Sequence, residues 1–210
     1  MWKDLSPGWQ AAFEEAWTAF KNGCIPIGAA LYDDNGVLLL TEHNRAAEAD
    51  TVNRLISHAE ANLLRRLDTV RYNVRTLTLY TTMEPCPMCM GTITMSNIRH
   101  VRYAARDPYC GSIHWAEDDP YIRSKGIEHI CEGGEAELVQ LVIQSCHELE
   151  MIEKGSSDRV LGQFEDMAPK AVRTARALYA DKTLDGYAEN GTPFPQVYDE
   201  IVRRAEGTDG

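Results

Sequence analysis

The residues of this 210-residue chain best suited to chemistry stand in two short stretches, His58-Ala59-Glu60 and Pro85-Cys86-Pro87-Met88-Cys89. One imidazole and two thiolates are good zinc ligands. His58, Cys86 and Cys89 fill three corners of a tetrahedron and leave the fourth for water, as in catalytic rather than structural zinc sites. Water held in that way has a pKa of about 7 and supplies hydroxide at physiological pH. Glu60 is then no ligand but the carboxylate that moves protons. Each stretch alone is a weak signal. A lone His-x-Glu is more often a capped surface histidine, and Cys-x-x-Cys divides among structural zinc, redox chemistry and chance. Cys110 or His114 could also close a structural four-ligand site.

Both stretches stand where a helix is expected to start. Unpaired N–H groups and the positive end of a helix favour anions, so Cys86 and Cys89 are expected as thiolates. Two residues between the cysteines let both sulfurs face one ion. The segment 76–81 before the second stretch alternates and is rich in β-formers, which reads as a strand.

The other elements follow from pattern. Ser6-Pro7 opens a helix whose Trp9, Phe13, Ala16, Trp17 and Phe20 recur at helical spacing until Asn22-Gly23. Apolar runs at 25–32 and 37–40 flank Asp33-Asp34-Asn35-Gly36, a hairpin signal. A polar, irregular stretch reaches Ser57, which could cap the helix from His58 to Leu67. A helix over 86–96, strands over 100–104 and 127–131, and an amphipathic helix over 135–154 complete the pattern. Strands alternating with helices argue for an α/β sheet covered on both faces. Gly155-Ser156-Ser157 is the best linker, dividing residues 1–155 from a helical extension over 156–210, with Pro169 breaking or opening a helix and a last helix over 195–205.

Composition narrows the partners. No apolar run approaches the roughly 20 residues that span a bilayer, and the N-terminus lacks a signal-peptide core, so a cytoplasmic protein without membrane contact is expected. Cys24, Cys110, Cys131 and Cys146 stand singly and read as buried thiols rather than a disulfide framework. The net charge is −11, with sixteen acidic against eight basic side chains from Glu132 onward. Such a surface gains little from a polyanion.

With these residues in view, the chain resembles the cytidine/deoxycytidylate deaminase superfamily, in its nucleobase and tRNA adenosine deaminase branch. The resemblance covers roughly residues 8–150. It rests on Ile25-Pro26-Ile27-Gly28-Ala29, Asn44-Arg45, His58-Ala59-Glu60, Glu84-Pro85-Cys86-Pro87-Met88-Cys89 with Gly91, and Ala104-Ala105-Arg106-Asp107. His-x-Glu with Pro-Cys-x-x-Cys is the signature of zinc deaminases. The resemblance implies a three-layer α/β/α sandwich around a mixed five-stranded sheet, a Zn2+ cofactor and a homodimer. It also implies substrate contacts from Asn44 and from the backbone of Ala59. Asp107 could pair with an amino group and Trp115 could stack on a heterocycle or serve packing. Relatives usually carry Asp-Pro-Thr before the histidine, where this chain has Asn53-Arg54-Leu55-Ile56-Ser57 in a longer loop. The activity implied is zinc-dependent hydrolytic deamination of a small aminated heterocycle, a guanine- or cytosine-like base or its nucleoside. Two alternatives stay open: a tRNA adenosine deaminase, and a non-catalytic zinc-stabilised interaction module.

Overall fold

The computed structural model describes residues 1–207; the last three residues of the expected extension lie outside them. Strands β1 (Gly28–Tyr32) and β2 (Leu38–His43) form the expected hairpin, and β3 (Thr78–Met83) lies antiparallel on the other side of β1. Strands β4 (His100–Ala105) and β5 (Glu128–Cys131) follow in parallel, giving the order β2-β1-β3-β4-β5. The mixed five-stranded sheet is therefore as expected.

Strand alternation decides what each face receives. Leu31, Leu79 and Val101 point into one cluster with Leu63 and Leu64 of α2 (Ala59–Arg65) and Met90 and Ile93 of α3 (Pro87–Met95). The other face, with Tyr80, Met83 and Ala104, is covered by the aromatic stripe of α1 (Pro7–Lys21) and by α6 (Gly134–Glu153). Between β4 and β5 the chain makes two four-residue helices, α4 (Trp115–Asp118) and α5 (Pro120–Arg123), too short to leave a periodic signal. These layers are the sandwich that the resemblance implied.

Strand β3 lies two residues later than the 76–81 expected, and α2 ends at Arg65 rather than Leu67; two further boundaries differ for a physical reason. Strand β1 begins at Gly28 rather than residue 25, because Pro26 has no N–H to give a ladder. Strand β2 runs on through Thr41-Glu42-His43, past the apolar run. Thr41 and His43 find a partner in the half-buried Glu15 of α1, at 2.6 Å each. Polar residues with partners behave as interior ones, which apolarity alone does not reveal.

Gly28 sets the distance between α1 and the sheet. A Cβ there would collide with the Ala12 carbonyl oxygen and the Ala16 nitrogen, both backbone atoms that no rotamer change can move. Gly28→Ala is expected to destabilise by about 2–3 kcal/mol through overpacking, read as a lower denaturant midpoint at unchanged slope.

After Gly155, α7 (Arg159–Met167), α8 (Pro169–Ala180), α9 (Thr183–Glu189) and α10 (Phe194–Gly207) fold back on α6 and α1. Pro169 opens α8 at its first position, while α9 was not foreseen. The Phe194 ring stacks on Phe13 at 6.0 Å and lies 5.6 Å from Trp17, and Trp2 meets it edge-on at 5.6 Å. The extension thus completes the same cluster that covers the sheet. Phe194→Ala is expected to remove about 3–5 kcal/mol of stability. A single cooperative transition, shifted as a whole, is the expected signature in calorimetry.

Candidate metal centre and active site

Helices α2 and α3 start side by side, and the two N-cap residues are His58 and Cys86. Both have extended backbone (ψ 153 and 173), so each side chain projects ahead of its helix while its carbonyl takes the first helical hydrogen bond, from Asn62 and Met90. Ser57, expected as the cap of α2, instead gives its hydroxyl to the Asn53 carbonyl. Pro87 stands at the first position of α3, where its missing N–H costs nothing. Cys89 follows one turn after Cys86 and is fully buried.

The result is a tight group. His58 Nδ1 lies 3.5 Å from Cys86 Sγ and 3.6 Å from Cys89 Sγ. A tetrahedral zinc with Zn–S near 2.3 Å and Zn–N near 2.0–2.1 Å holds such atoms about 3.5–3.6 Å apart. The donors therefore already have the spacing that zinc demands. Cys110 and His114 do not belong to the group of donors within reach of one another among the described residues.

Glu60, at the second position of α2, is 3% exposed. Its Oε1 accepts from the Thr81 hydroxyl at 3.0 Å, and its Oε2 lies 3.3 Å from Cys89 Sγ. Thr81 points that way because it stands two residues after Leu79 and so shares its face of β3. Burial raises the Glu60 pKa from its ordinary value, which favours its protonated form. The cysteines share charge unequally. The hydrogen bond from Cys89 holds Cys86 low, and the same bond, with burial, holds Cys89 high. Binding zinc must therefore displace a proton from Cys89.

The loop after β4 is fastened to the second motif by Glu84. Its Oε2 accepts from Asp107 N–H at 3.1 Å and its Oε1 from Ile113 N–H at 3.2 Å, while Ser112 N–H reaches the Pro85 carbonyl at 2.9 Å. Gly111 lies so close to the Glu84 carboxyl that a Cβ would collide with it. The sequence reading gave Thr81 no role and Glu84 only a place in the motif that carries the resemblance; Thr81's place in an alternating strand just before the cysteines was the available signal.

The expected substrate contacts fall in different places. Ala59 is fully buried at the first position of α2, where its N–H has no partner within the helix. Asn44 is 1% exposed just beyond β2, with Oδ1 accepting from Ala46 N–H at 2.9 Å, which leaves its amide hydrogens to offer. The Asp107 carboxylate is engaged in its own turn, accepting from Tyr109 N–H and from the N–H and thiol of Cys110. Trp115 lines a cleft of about 570 Å3 with Gly91, Met95 and Tyr121, on the outer surface of α3.

With the geometry in hand, comparison with known proteins is direct. Residues 4–105 match the family described as the cytidine and deoxycytidylate deaminase zinc-binding region, and the chain belongs to that family. The chain is 38% identical over 104 residues to a tRNA-specific adenosine deaminase of Bacillus subtilis, covering 48% of this chain and 61% of that protein. It is 34% identical over 106 residues to a tRNA-specific adenosine deaminase of Agrobacterium fabrum, covering 50% of this chain and 67% of that one. The chain thus spans about 60% of the length of the first curated relatives it matches. A guanine deaminase from Nitrosomonas europaea shares the fold, with a TM-score of 0.53 and 18% identity over 68% of this chain and 85% of that one. No helix among the described residues is long and apolar enough to cross a membrane.

Proposed function

We propose that the protein is a zinc-dependent hydrolytic deaminase of a small aminated heterocycle, a nucleobase or nucleoside. The observation that carries this reading is the buried Glu60 carboxylate, 3.3 Å from Cys89 Sγ beside three donors at zinc spacing. His58, Cys86 and Cys89 would hold the metal, which would supply hydroxide at neutral pH by polarising water. Glu60 takes a proton from the attacking water as its oxygen bonds to the carbon that carries the amine, and passes it to the ring nitrogen beside that carbon. It then takes the second proton, from the oxygen now bonded to that carbon, and gives it to the departing nitrogen as the carbon–nitrogen bond breaks. Ring amine and water become ring carbonyl and ammonia.

Ala59 N–H and the Asn44 amide are the first groups we assign to the substrate. Both are buried polar donors with capacity left after their local bonds. Asp107 holds the adjoining turn, and Trp115 walls the neighbouring cleft.

A small, uncharged substrate is supported by how three of the arginines around these elements are spent, although Arg54 and Arg65 carry no ion pair among the described residues. Arg45 pairs with Glu42 and Glu48 at 3.0 and 3.2 Å, Arg66 with Glu42, and Arg106 with Glu137 at 2.8 Å. Paired cations release few counterions on meeting a polyphosphate. The second reading, deamination of adenosine in tRNA, is supported by the printed activity of the 38%-identical relative. A homodimer in the cytoplasm fits either reading. The exposed Met95 and Tyr121 beside the α3 cleft support a second copy there, and a single-chain mass by light scattering would remove it.

The test is ammonia release by zinc-loaded protein from a panel of aminated bases and nucleosides, beside tRNA scored for inosine. Turnover of one free heterocycle is the expected result. Inosine in tRNA with no turnover of small molecules would replace this reading by the second. Silence from both would leave a zinc-stabilised interaction module.

A further inference from the structure

A second cluster of ionisable groups, at the junction of α1, β2 and α2, has no part in the chemistry above. His43, 7% exposed at the end of β2, sits between two carboxylates. Its Nδ1 is 2.6 Å from Glu15 Oε2 of α1, and its Nε2 is 2.8 Å from Glu48 Oε1 in the following loop. A neutral imidazole has only one N–H, so carboxylates at both nitrogens call for the doubly protonated ring.

Charge balance points the same way. Glu15, Glu42 and Glu48 face two guanidiniums, those of Arg45 and Arg66, and Asp50 acts on Arg45 from further off. His43 supplies the third positive charge. An unbalanced carboxylate in so covered a place would carry a large desolvation penalty. Thr41 and Asn22 add hydrogen bonds to Glu15 and Glu48, at 2.6 and 2.7 Å, so the acids are ordered as well as paired.

The cluster is joined to the candidate site through the backbone. Asn62 Nδ2 donates to the His43 carbonyl and to the Ser57 carbonyl, at 3.2 Å each. Ser57 O also accepts from Arg45 N–H at 2.9 Å, and Asn62 N–H donates to the His58 carbonyl at 2.9 Å. The residues on either side of Asn44 and the residue before His58 therefore meet at one node.

We propose that His43, as an imidazolium clamped between Glu15 and Glu48, is a positioning residue that holds the 44–57 segment as a wall of the substrate pocket. Substrate capture then depends on its proton, and the chemical step does not. The role in capture rests on the deaminase reading; the clamp itself does not.

The direction of the pH effect follows. Burial works against the charge on His43, but the bonds to Glu15 and Glu48 outweigh it and hold the pKa above the ordinary 6.5. The stabilisation is complete below that ordinary value and is lost as pH rises through the raised one. Burial likewise opposes ionisation of Glu15 and Glu48, and the bonds to His43 again prevail and lower both from 4.5. Their contribution is present above that value and disappears as pH falls through the lowered ones.

The test uses zinc-loaded protein and two variants, His43→Gln and Glu48→Gln. In nitrogen NMR, the imidazole resonance missing from His43→Gln is expected to report two protonated nitrogens at neutral pH. Its titration midpoint is expected to move down in Glu48→Gln. A singly protonated ring at neutral pH, or a midpoint indifferent to Glu48, overturns the clamp. On the substrate found by the panel, His43→Gln is expected to raise KM about tenfold with kcat nearly unchanged and zinc content intact. Its kcat/KM should lack the alkaline fall of the parent. A fall in kcat as large as the fall in kcat/KM, with KM unchanged, overturns the positioning role. If the parent deaminates nothing, the deaminase reading fails alone. Hydrogen exchange over 44–57 then decides the wall: faster exchange in His43→Gln supports it, and unchanged exchange overturns it. If His43→Gln does not fold, the same exchange and midpoint measurements on Glu48→Gln stand in its place.

Discussion

Glu60→Gln is expected to lower ammonia release by about 10²–10⁴-fold, the range that a general acid–base group contributes, while zinc content and fold persist. The side chain is the right one to change because its surroundings accept the amide. Glutamine has nearly the same volume and keeps an acceptor for the Thr81 hydroxyl, which now binds Oε1 at 3.0 Å. Its new NH2 group falls where Oε2 stands, 3.3 Å from Cys89 Sγ, and donates well to a thiolate. Glu60 is 3% exposed, and burial already favours its neutral form, so the uncharged amide suits the site. Only proton transfer is removed. The measurement is kcat beside zinc content by elemental analysis. A variant that keeps its metal and turns over within tenfold of the parent would sink the role assigned to Glu60.

Cys89→Ala should be harsher, since it removes the metal itself. Cys89 is fully buried and supplies one of three donors already at zinc spacing. Two donors do not hold zinc against a mild chelator. Zinc content is expected to fall to background and activity to vanish with it. The parent gains stability by mass action, about 4 kcal/mol at a metal concentration a thousand times the dissociation constant, and that increment should be absent from the variant. The pH dependence has a definite sign. Its hydrogen bond to Cys86, with burial, holds the Cys89 thiol above its ordinary pKa, so binding releases a proton and zinc affinity rises with pH. A chelator competition series across neutral pH reads this slope. A flat series, or a variant that retains its zinc, would show that the ion sits elsewhere.

What could be read from the sequence was what lies close along it. The Cys86–Cys89 spacing and the His58-Ala59-Glu60 triplet place donors within a turn of a helix start, so local geometry carries them to one point. The sheet was legible for a similar reason, because alternation at 76–81 and an Asp-Asp-Asn-Gly turn are short-range signals. The His43 cluster was not, because its partners stand 28 residues before it and 5 after it and nothing local announces the pairing. Thr41-Glu42-His43 looked like the start of a loop for the same reason. In the 107–115 segment the sequence showed residue types apt for recognition. It could not show that Asp107 spends its carboxylate on its own turn, or that Trp115 turns toward Met95 and Tyr121. The periodicity after Gly155 gave helices but not their destination, and α9, seven residues long, left no periodic trace.

The destination of the last helix has a consequence for how the protein is made. The aromatic face of α1 leaves the ribosome well before Phe194, Val197, Tyr198 and Ile201, which form part of its cover. Until those residues emerge, Phe13 and Trp17 have no permanent neighbour on that side. The metal donors can meet well before then, since residues 58–89 need only the sheet and helices already synthesised. A nascent chain would thus hold a formed ion site on a body still showing a sticky patch. That interval is when a chaperone, or an aggregate, finds it.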